Sequence, residues 1–517
     1  MENTREPMYM FSQPRIGTPF FETEFIENSY FEYDKGVFRI VDPIWGIHEI
    51  GKEEGDEVLL ELLKNPLVVR SMAIEQLTLD RLTETIPGAA EFPRWDHLWG
   101  SVAFIRLKTK NMKLEPRERL TLQLRAFVSD LAHTAYSHLG DWIFQGAGGP
   151  ENQHDIELVH LLEVSGVNEI LRKQAISPEE VIFPDTTDWI EAPQPELCVD
   201  RVDYGAREIR RWLDLAVGVH FAAHPDAFIV TEDRKLVMKS HRQALNFAKA
   251  FMLLPTEHWG EPVHKLQLFL KQELVKRIFC SDETALAASD MGRLDQFHPR
   301  DYMYTIDADI TQEMRFNDPF LNIVRPLMED IGLSKRRIFA WQRRSELASF
   351  FSDYGPGNFP DPLKNYGESY TKSMPLIPSN IEILPVDDPD SYPAYQTDSR
   401  GMNILLGPLK PRWVDPLYYD DDGNLQRLSE TDSNYKNLLS QQALVMSQSY
   451  IAKLSLNKKA KKIVKDGFDQ NGVEWPEVLQ RPRMEEDRFQ RVITKMASYA
   501  LSHRLANMSD SLYLHLP

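Results

Sequence analysis

Cysteine is scarce in this sequence, in which Cys198 and Cys280 are the only two among 517 residues. Two cysteines are too few for the disulfide framework of a small secreted protein, and too few for a cysteine-rich zinc site. Any metal ion that the protein binds must therefore be held by histidines and carboxylates.

Long apolar runs are also missing. Hydrophobic residues make up 42% of the chain, but no segment approaches the ~18 uninterrupted apolar residues of a membrane-spanning helix. Residues 1–17 contain both acidic and basic side chains and lack the continuous apolar stretch of a secretory signal. We therefore expect a soluble, cytoplasmic protein without a membrane partner.

Positive charge is in deficit. The chain has 59 basic and 78 acidic residues, which gives a formal net charge of -19 at pH 7. Such a charge repels an extended phosphate backbone, so we expect no extended nucleic acid as a partner. A small phosphate ester is still a possible ligand, because a few cations or a divalent metal in a pocket can outweigh the repulsion from the net charge of the rest of the protein.

The apolar periodicity predicts a mainly α-helical protein. The length suits one large domain with additions, or two or three domains. The segments with helical spacing are Glu57–Leu82, Leu98–Lys108, Arg117–Phe144, Ile156–Lys173, Gly205–Ala222, Ser240–Leu254, Val263–Phe279, Tyr435–Ile463 and Met484–Leu505. Four lysines, Lys458, Lys459, Lys461 and Lys462, are expected at the C-terminal end of one of these helices.

The chain divides into four regions by composition. Residues 1–41 are an aromatic-rich arm, and residues 42–350 form the helical core. Residues 351–400 are dense in Pro, Asp and Tyr, which predicts a linker or surface excursion. Residues 401–517 contain two short strands around a Gly-containing turn, near residues 412–428, and further helices.

The strongest chemical signal is the segment from Ser129 to Asp141. On a helix with ~100° per residue, Asp130, His133, Ser137 and Asp141 lie within roughly 80° of one another. The rest of the predicted Arg117–Phe144 helix is largely apolar. Polar groups on a buried helix must be paired or bound to a metal, so this cluster indicates an internal site.

This segment is one of several motifs that occur in a fixed order. In chain order they are Asp42-Pro-Ile-Trp-Gly46, Gln76-Leu77, Pro87-Gly88, Arg94-Trp-Asp-His97 with Gly100-Ser-Val102, Ser129–Asp141, and Asp200-Arg-Val-Asp-Tyr-Gly-Ala-Arg-Glu208. The ordered set resembles the HD-domain deoxynucleoside triphosphate triphosphohydrolases and their bacterial relatives. The resemblance covers Asp42 to about Glu208 and implies an HD-domain helical core.

The resemblance also implies a metal site, with one departure. Three of the four family ligands are present as His97, Asp130 and Asp200, whereas Ser129 stands in place of the histidine of the His-Asp doublet. One imidazole and two carboxylates form an oxygen-rich set for a divalent metal, Mn, Mg or Fe, bound weakly or not at all. The sequence departs from the family pattern in smaller ways at Trp45, Ala132 and Arg201.

The remaining roles are carried over position by position. The resemblance implies that His133 with Asp141 orients and deprotonates the attacking water, assisted by His154 or His138. The resemblance implies that Arg94 and Arg201 bind phosphate oxygens of the substrate and that Gln76 and Tyr204 face its sugar. Glu208 is also expected at the substrate, because it occupies the position of an Asp in the family.

Other polar residues are interpreted as structural. Asp203 is expected to pair with Arg207 at i+4 spacing, and His258, His264 and Lys265 are expected to be solvated. Gly146–Gly149 is interpreted as a helix end and turn, because no strand precedes it.

Two functions stay open at this point. One is a metal-dependent phosphohydrolase acting on a nucleotide, such as a deoxynucleoside triphosphate, or on a related phosphate ester. The other is a catalytically degenerate HD protein that binds a nucleotide or a protein partner without turnover, which Ser129 favours. Family members oligomerise and the arm from Phe20 to Tyr33 is rich in aromatics, so we also expect a homo-oligomer.

Overall fold

The computed structural model describes residues 30–76, 93–145, 152–182, 189–212, 224–255, 259–280, 307, 318–328 and 380–471. Everything below concerns these residues. Several sequence predictions lie outside them: most of the N-terminal arm, Leu77, Pro87-Gly88, Gly146–Gly149, His258 and the helix Met484–Leu505.

The described part of the chain is mainly helical, as predicted, and carries three small sheets. Its helices are α1 Asp56–Leu62, α2 Pro66–Arg70, α3 Arg94–Thr109, α4 Pro116–Val128, α5 Leu139–Gln145, α6 Gln153–Val164, α7 Val167–Lys173, α8 Pro178–Ile182, α9 Val199–Trp212, α10 His241–Leu254, α11 Pro262–Cys280, α12 Leu428–Thr431, α13 Ser433–Ser447 and α14 Lys458–Gln470. Its strands are β1 Tyr30–Asp34, β2 Val37–Asp42, β3 Gly46–Ile50, β4 Phe228–Val230, β5 Leu236–Met238, β6 Ile381–Val386, β7 Tyr395–Thr397, β8 Gly401–Leu406, β9 Leu417–Tyr419, β10 Leu425–Arg427 and β11 Ser449–Ser455. None of the helices in these ranges is long and apolar enough to cross a membrane.

Helix α3 lies at the centre of the core and packs against α4 and α9. Its aromatic side chains Trp95 and Trp99 pack against Phe38 of the antiparallel sheet β1-β2-β3. Gly100 lets α9 approach closely, because a Cβ atom there would lie 1.6 Å from Nη2 of Arg207. The glycine of this motif is therefore required by helix packing, and the close approach brings the polar residues of α3 and α9 together.

The predicted helix Arg117–Phe144 is wrong in its middle part. Helix α4 ends at Val128, and α5 begins only at Leu139. Tyr136 and Ser137 between them have positive φ angles of 58° and 54°, which no α-helix contains. Distant groups stabilise this loop, since the Tyr136 amide donates to Asp307 and the Ser137 hydroxyl donates to the carbonyl of Glu75. Ser129, Asp130, His133 and His138 therefore lie on a folded loop, whereas Asp141 lies in α5.

Three other helix predictions are too long. The described part of Glu57–Leu82 contains two helices separated at Asn65, which caps α2 through its side chain. Ile156–Lys173 is interrupted at Gly166, whose φ of 79° only glycine adopts without strain. Tyr435–Ile463 contains the strand β11. The lysines from Lys458 onward consequently begin α14, whose N-cap is Asn457, and do not end a helix.

The C-terminal region joins the core through its sheets. The predicted hairpin forms as β9 and β10, and β9 pairs with β5 through Met238 and Tyr418. Residues 380–400 of the predicted excursion are not simply a linker, because they contain β6 and β7 of the sheet β6-β11-β8-β7. The segment between β8 and β9 thereby lies beside the helical core.

Candidate metal centre and catalytic cavity

His97, Asp130 and Asp200 converge, as predicted, from α3, the loop after α4, and α9. His97 Nε2 lies 3.2 Å from Oδ2 of Asp130 and 3.1 Å from Oδ1 of Asp200. Potential ligand atoms of all three residues lie within 4.8 Å of one another. One imidazole and two carboxylates in this arrangement fit a divalent cation that accepts oxygen ligands.

Asp203 orients the imidazole of His97. Its Oδ2 lies 2.6 Å from Nδ1 of His97, and an ionised carboxylate can only accept, so Nδ1 carries the proton. Asp203 also accepts from Arg207 at 2.8 Å, as predicted, and from the indole of Trp45 at 2.5 Å. Carboxylates hold metal-binding histidines in this way. The remaining nitrogen, Nε2, points toward Asp130 and Asp200.

The carboxylates of the cluster favour a positively charged group at Nε2 of His97. Burial lowers the pKa of His97, but hydrogen bonds to Asp130, Asp200 and Asp203 outweigh it and raise that pKa well above its ordinary value. Burial raises the pKa of Asp130, but Arg94 and His133 bring it well below its usual range. The carboxylate of Asp130 is therefore ionised, as a metal ligand must be.

We expect Asp203→Asn to weaken metal binding although Asp203 is not a ligand. The amide keeps the shape but removes the charge that holds the Nδ1 proton, and the loss of such a partner lowers metal affinity by ~10 to 100-fold. The loss of metal affinity is measured as the metal content of each protein after dialysis against a chelator. Asp226→Asn is the control, because that side chain is 83% exposed. Equal metal content in the two variants would contradict the role of Asp203.

A second cluster contains three histidines and Asp141. Asp141 Oδ2 lies 2.8 Å from Nδ1 of His138, and its Oδ1 lies 3.5 Å from Nδ1 of His154. His133 lies instead against Asp130, with 3.2 Å between Nε2 and Oδ1. Potential ligand atoms of His133 and Asp141 still lie within 4.8 Å of each other in this cluster, so the two predicted residues are brought together although their hydrogen-bond partners differ.

His133 remains suited to accept a proton. Its ring stacks on that of His154, with 3.8 Å between centroids. Burial, Arg94 and His154 lower the pKa of His133 well below its ordinary value, against the opposing effect of Asp130. His133 is consequently neutral near pH 7, and a neutral imidazole is a base.

The two arginines predicted to bind phosphate have protein partners. Arg94 Nη1 lies 2.5 Å from Asp130, and Nε donates to the Ser137 hydroxyl at 2.8 Å. Its Nη2 atom is buried without a hydrogen-bond partner among the described residues. Arg201 donates to the backbone carbonyls of Glu196 and Ala192. Arg94 thus still has one donor at the site, whereas Arg201 braces the loop before α9.

A cavity of about 280 Å³ lies beside both clusters. Its lining includes these predicted site residues: Gln76, Arg94, Ser129, Asp130, His133, His138, His154, Asp200, Arg201, Tyr204 and Glu208. The Oε1 atom of Gln76 is buried without a hydrogen-bond partner in the described residues. The Ser129 hydroxyl donates to the carbonyl of Ala126 at 3.1 Å, so Ser129 caps α4 at the edge of the cavity.

Sequence reasoning missed other residues of the lining. Those with polar side chains are Asn152, Asp155, Glu191, Gln194, His264, Lys410 and Arg412. The predicted solvation of His264 and Lys265 is wrong, since both are buried and Lys265 donates to the carbonyl of Gln448 at 2.7 Å. Packing of the C-terminal region over α11 buries them, and the local sequence carries no signal of it.

No family model matches the chain. The chain is 29% identical to a metal-dependent phosphohydrolase of Cordyceps militaris over 227 residues, and 31% identical to the uncharacterized protein YdhJ of Bacillus subtilis over 184 residues. These matches cover 42% and 34% of this chain. They span 61% and 48% of the two relatives, less than two thirds of either.

Two solved structures are similar in part. A phosphohydrolase from Bacteroides thetaiotaomicron is 14% identical with a TM-score of 0.46, over 81% of this chain and 100% of its own. A hypothetical protein from Aquifex aeolicus is 14% identical with a TM-score of 0.44, over 84% of this chain and 100% of its own.

Proposed function

We propose that this chain is a metal-dependent phosphohydrolase that acts on a small phosphate ester, and that the ester is a nucleotide. The observation that carries the proposal is one cavity lined by Asp130 and Asp200 of the His–Asp–Asp cluster and by the buried imidazole of His133. The similarity to a metal-dependent phosphohydrolase supports the same reaction class.

The metal would be held by His97, Asp130 and Asp200. Their donor set fits Mn²⁺, Mg²⁺ or Fe²⁺, since carboxylates suit the harder ions and an imidazole suits iron and manganese. A divalent cation bound there supplies Lewis acidity and lowers the pKa of water. Asp203 keeps the tautomer of His97 that leaves Nε2 available.

His133 would take the proton of the attacking water at Nδ1, because its Nε2 lies 3.2 Å from the ionised Asp130 and donates to it. The ring lines the cavity, so a water bound there can come within its reach. His138 and His154 share Asp141, which favours a proton on the nitrogen of each ring that faces the carboxylate. Burial lowers the pKa of His154, but the hydrogen bond to Asp141 outweighs it and raises that pKa, so a doubly protonated His154 is suited to donate to a phosphoryl or leaving oxygen. His138 Nε2 instead accepts from Arg412 at 3.3 Å.

The charges of the cavity support an anionic substrate. Among the described residues, the lining contains five carboxylates and four permanent cations: Asp130, Asp155, Glu191, Asp200, Glu208, Arg94, Arg201, Lys410 and Arg412. Burial raises the pKa of Glu191 to about 8, so near pH 7 the other four carboxylates balance the four cations. A divalent cation would make the cavity positive. Metal binding would therefore make the cavity attractive to phosphate.

Size and lining support a nucleotide as the substrate. A volume of about 280 Å³ is close to the lower limit of ~300 Å³ for small-molecule pockets. Tyr204 and Trp259 offer aromatic surface, with 6.2 Å between their ring centroids. Gln76 offers a buried amide oxygen that can accept a hydrogen bond from a sugar hydroxyl or a base.

Phosphate release by His133→Gln and by the wild type tests the proposal. Protein loaded with Mn²⁺ or Mg²⁺ is incubated with a panel of nucleoside mono- and triphosphates. The wild type is expected to release phosphate, or a longer phosphate chain, from at least one of them. His133→Gln is expected to keep its metal and lose ~10² to 10⁴-fold in kcat, the usual contribution of a general base.

His241→Gln is the matched control, since that side chain is 44% exposed and lies outside the cavity. Ser129 favours the second candidate function, a binding protein without turnover, because it provides no imidazole as a fourth protein ligand. A wild type that binds metal and nucleotide yet releases nothing from any member of the panel would select that function.

A further inference from the structure

Trp45 lies in the turn between β2 and β3, and its indole contacts the carboxylate that orients His97. The turn is tight, because Asp42 ends β2 and Gly46, with a φ of 88°, already begins β3. Nε1 of Trp45 lies 2.5 Å from Oδ1 of Asp203. Trp45 is 2% exposed and is absent from the described lining of the cavity. Its side chain therefore reaches the candidate metal centre only through Asp203.

Asp42 fixes the turn that carries Trp45. Its Oδ1 accepts from the backbone amides of Ile44 and Trp45, both at 2.8 Å. Its Oδ2 accepts from Nη2 of Arg207 at 2.5 Å. The indole also packs on the ring of Phe104, with 4.5 Å between centroids. The position of the indole is thus set by backbone hydrogen bonds and by packing, as a supporting residue requires.

The carboxylate of Asp203 accepts four hydrogen bonds. Its Oδ1 accepts from Trp45 and from Nη2 of Arg207, the latter at 3.0 Å. Its Oδ2 accepts from Nε of Arg207 at 2.8 Å and from Nδ1 of His97 at 2.6 Å. An ionised carboxylate offers about four lone pairs, so all are used. Indole and guanidinium groups can only donate, and both therefore favour the ionised form of Asp203.

The orientation of His97 matters more than that of the other two ligands. Among the described residues it is the only imidazole of the cluster with Asp130 and Asp200, and Ser129 supplies no second one. A carboxylate can bind a cation through either oxygen and in several directions, whereas an imidazole binds only along the lone pair of one nitrogen. A small rotation of the His97 ring would therefore turn Nε2 away from the ion.

We infer that Trp45 is a positioning residue of the candidate metal centre, whose indole N–H fixes the carboxylate of Asp203 and thereby aims Nε2 of His97 at the ion. This inference rests on the proposed function, because the metal is part of that function. It gives a role to a position at which the chain departs from the family pattern. The N–H group, and not the bulk of the ring, is the part of Trp45 that acts on the metal.

Titration of metal-free protein with Mn²⁺, followed by calorimetry, tests this role without turnover. Trp45→Phe keeps an aromatic ring but removes the N–H group. Benzothienylalanine at position 45 is the sharper replacement, because it has the two fused rings of tryptophan with sulfur in place of the N–H. Both proteins are expected to bind Mn²⁺ ~10-fold more weakly than the wild type, the lower end of the effect of losing a group that supports a metal ligand.

Trp189→Phe is the matched control. Trp189 belongs to the same apolar cluster as Trp45, and its Nε1 is buried without a hydrogen-bond partner among the described residues. The two Trp-to-Phe variants should lower the thermal midpoint by similar amounts, but Trp189→Phe should keep the Mn²⁺ affinity of the wild type. Equal losses of affinity in the two variants, or full affinity in the benzothienylalanine protein, would overturn the inference.

A double-mutant cycle tests whether Trp45 acts through Asp203. Trp45→Phe is introduced into the wild type and into Asp203→Asn, and Mn²⁺ affinity is measured for all four proteins. In Asp203→Asn the charge that gives the indole contact its strength is gone, so Trp45→Phe should cost less than about threefold there. A second loss of ~10-fold would show that Trp45 acts by another route and would overturn the inference.

Phosphate release separates this inference from the proposed function. If the Mn²⁺-loaded wild type hydrolyses a nucleotide but the loss of the indole N–H leaves Mn²⁺ affinity unchanged, the hydrolase stands and the role of Trp45 is wrong. If no nucleotide is hydrolysed but both replacements of Trp45 weaken Mn²⁺ binding and Trp189→Phe does not, the role of Trp45 stands and the hydrolase is wrong. A wild type that binds no Mn²⁺ would overturn both.

Discussion

Asp200→Asn is expected to abolish both metal binding and phosphate release. Asparagine keeps the size of the side chain but removes one of two anionic ligands, so the cluster loses charge as well as geometry. A missing ligand should cost at least the ~10 to 100-fold in metal affinity that a lost supporting group costs. Metal content and kcat, measured on the same preparation, should both fall.

Asp421→Asn is the control for this variant, because Asp421 is exposed in the turn of the β9–β10 hairpin. The side chain of Asp200 is 33% exposed, so folding should tolerate its replacement, and the thermal midpoint should stay close to that of the wild type. Full metal content in folded Asp200→Asn would remove Asp200 from the ligand set.

Ser129→His is expected to increase both metal binding and phosphate release. Position 129 directly precedes Asp130 and lines the cavity, so an imidazole there can supply a fourth protein ligand in place of water. The hydroxyl of Ser129 donates to the carbonyl of Ala126 at the end of α4, and the loss of this hydrogen bond costs about 1 kcal/mol. Metal affinity should rise by ~10 to 100-fold, and hydrolysis should rise with it.

Ser129→Ala separates the loss of the hydroxyl group from the gain of an imidazole ligand. It removes the hydroxyl without adding a ligand, so its metal content should equal that of the wild type. If Ser129→His binds metal more tightly but hydrolyses more slowly than the wild type, Ser129 is an adaptation of this site and the cluster is not an impaired metal centre. Unchanged metal affinity in Ser129→His would show that position 129 does not reach the ion.

The three residues that converge in the candidate metal cluster could be selected from the sequence because of the motifs around them. His97, Asp130 and Asp200 lie in separate motifs whose order is informative even though no single motif is. The mainly helical fold could be predicted for a related reason, since apolar spacing reports which faces of a segment are buried. Motif residues and apolar spacing can both be recognised within a single segment of the sequence.

The loop between α4 and α5 could not be predicted in this way. Its positive φ angles at Tyr136 and Ser137 are held by Asp307 and by the carbonyl of Glu75, groups distant in sequence. Helical periodicity continues through such a break and does not detect it. The predicted continuous helix Arg117–Phe144 was wrong for this reason.

The contribution of the C-terminal region was missed for a similar reason. Lys410 and Arg412 lie between prolines at 408, 411 and 416, in a segment without periodicity. Nothing in that composition distinguishes a cavity wall from an ordinary surface loop. Only the pairing of β9 with β5, and the hydrogen bonds that the amides of Leu409 and Asp415 donate to the carbonyls of Met446 and Pro195, bring the segment to the site.

The pairing of Met238 with Tyr418 also has a consequence for biosynthesis. His97, Asp130 and Asp200 all emerge from the ribosome long before Tyr418, and the wall that carries Lys410 and Arg412 is bound between Met446 and Pro195. A nascent chain can therefore assemble its metal ligands while one side of the cavity is still missing. The cavity can acquire its C-terminal wall only after residues 409–446 have been synthesised.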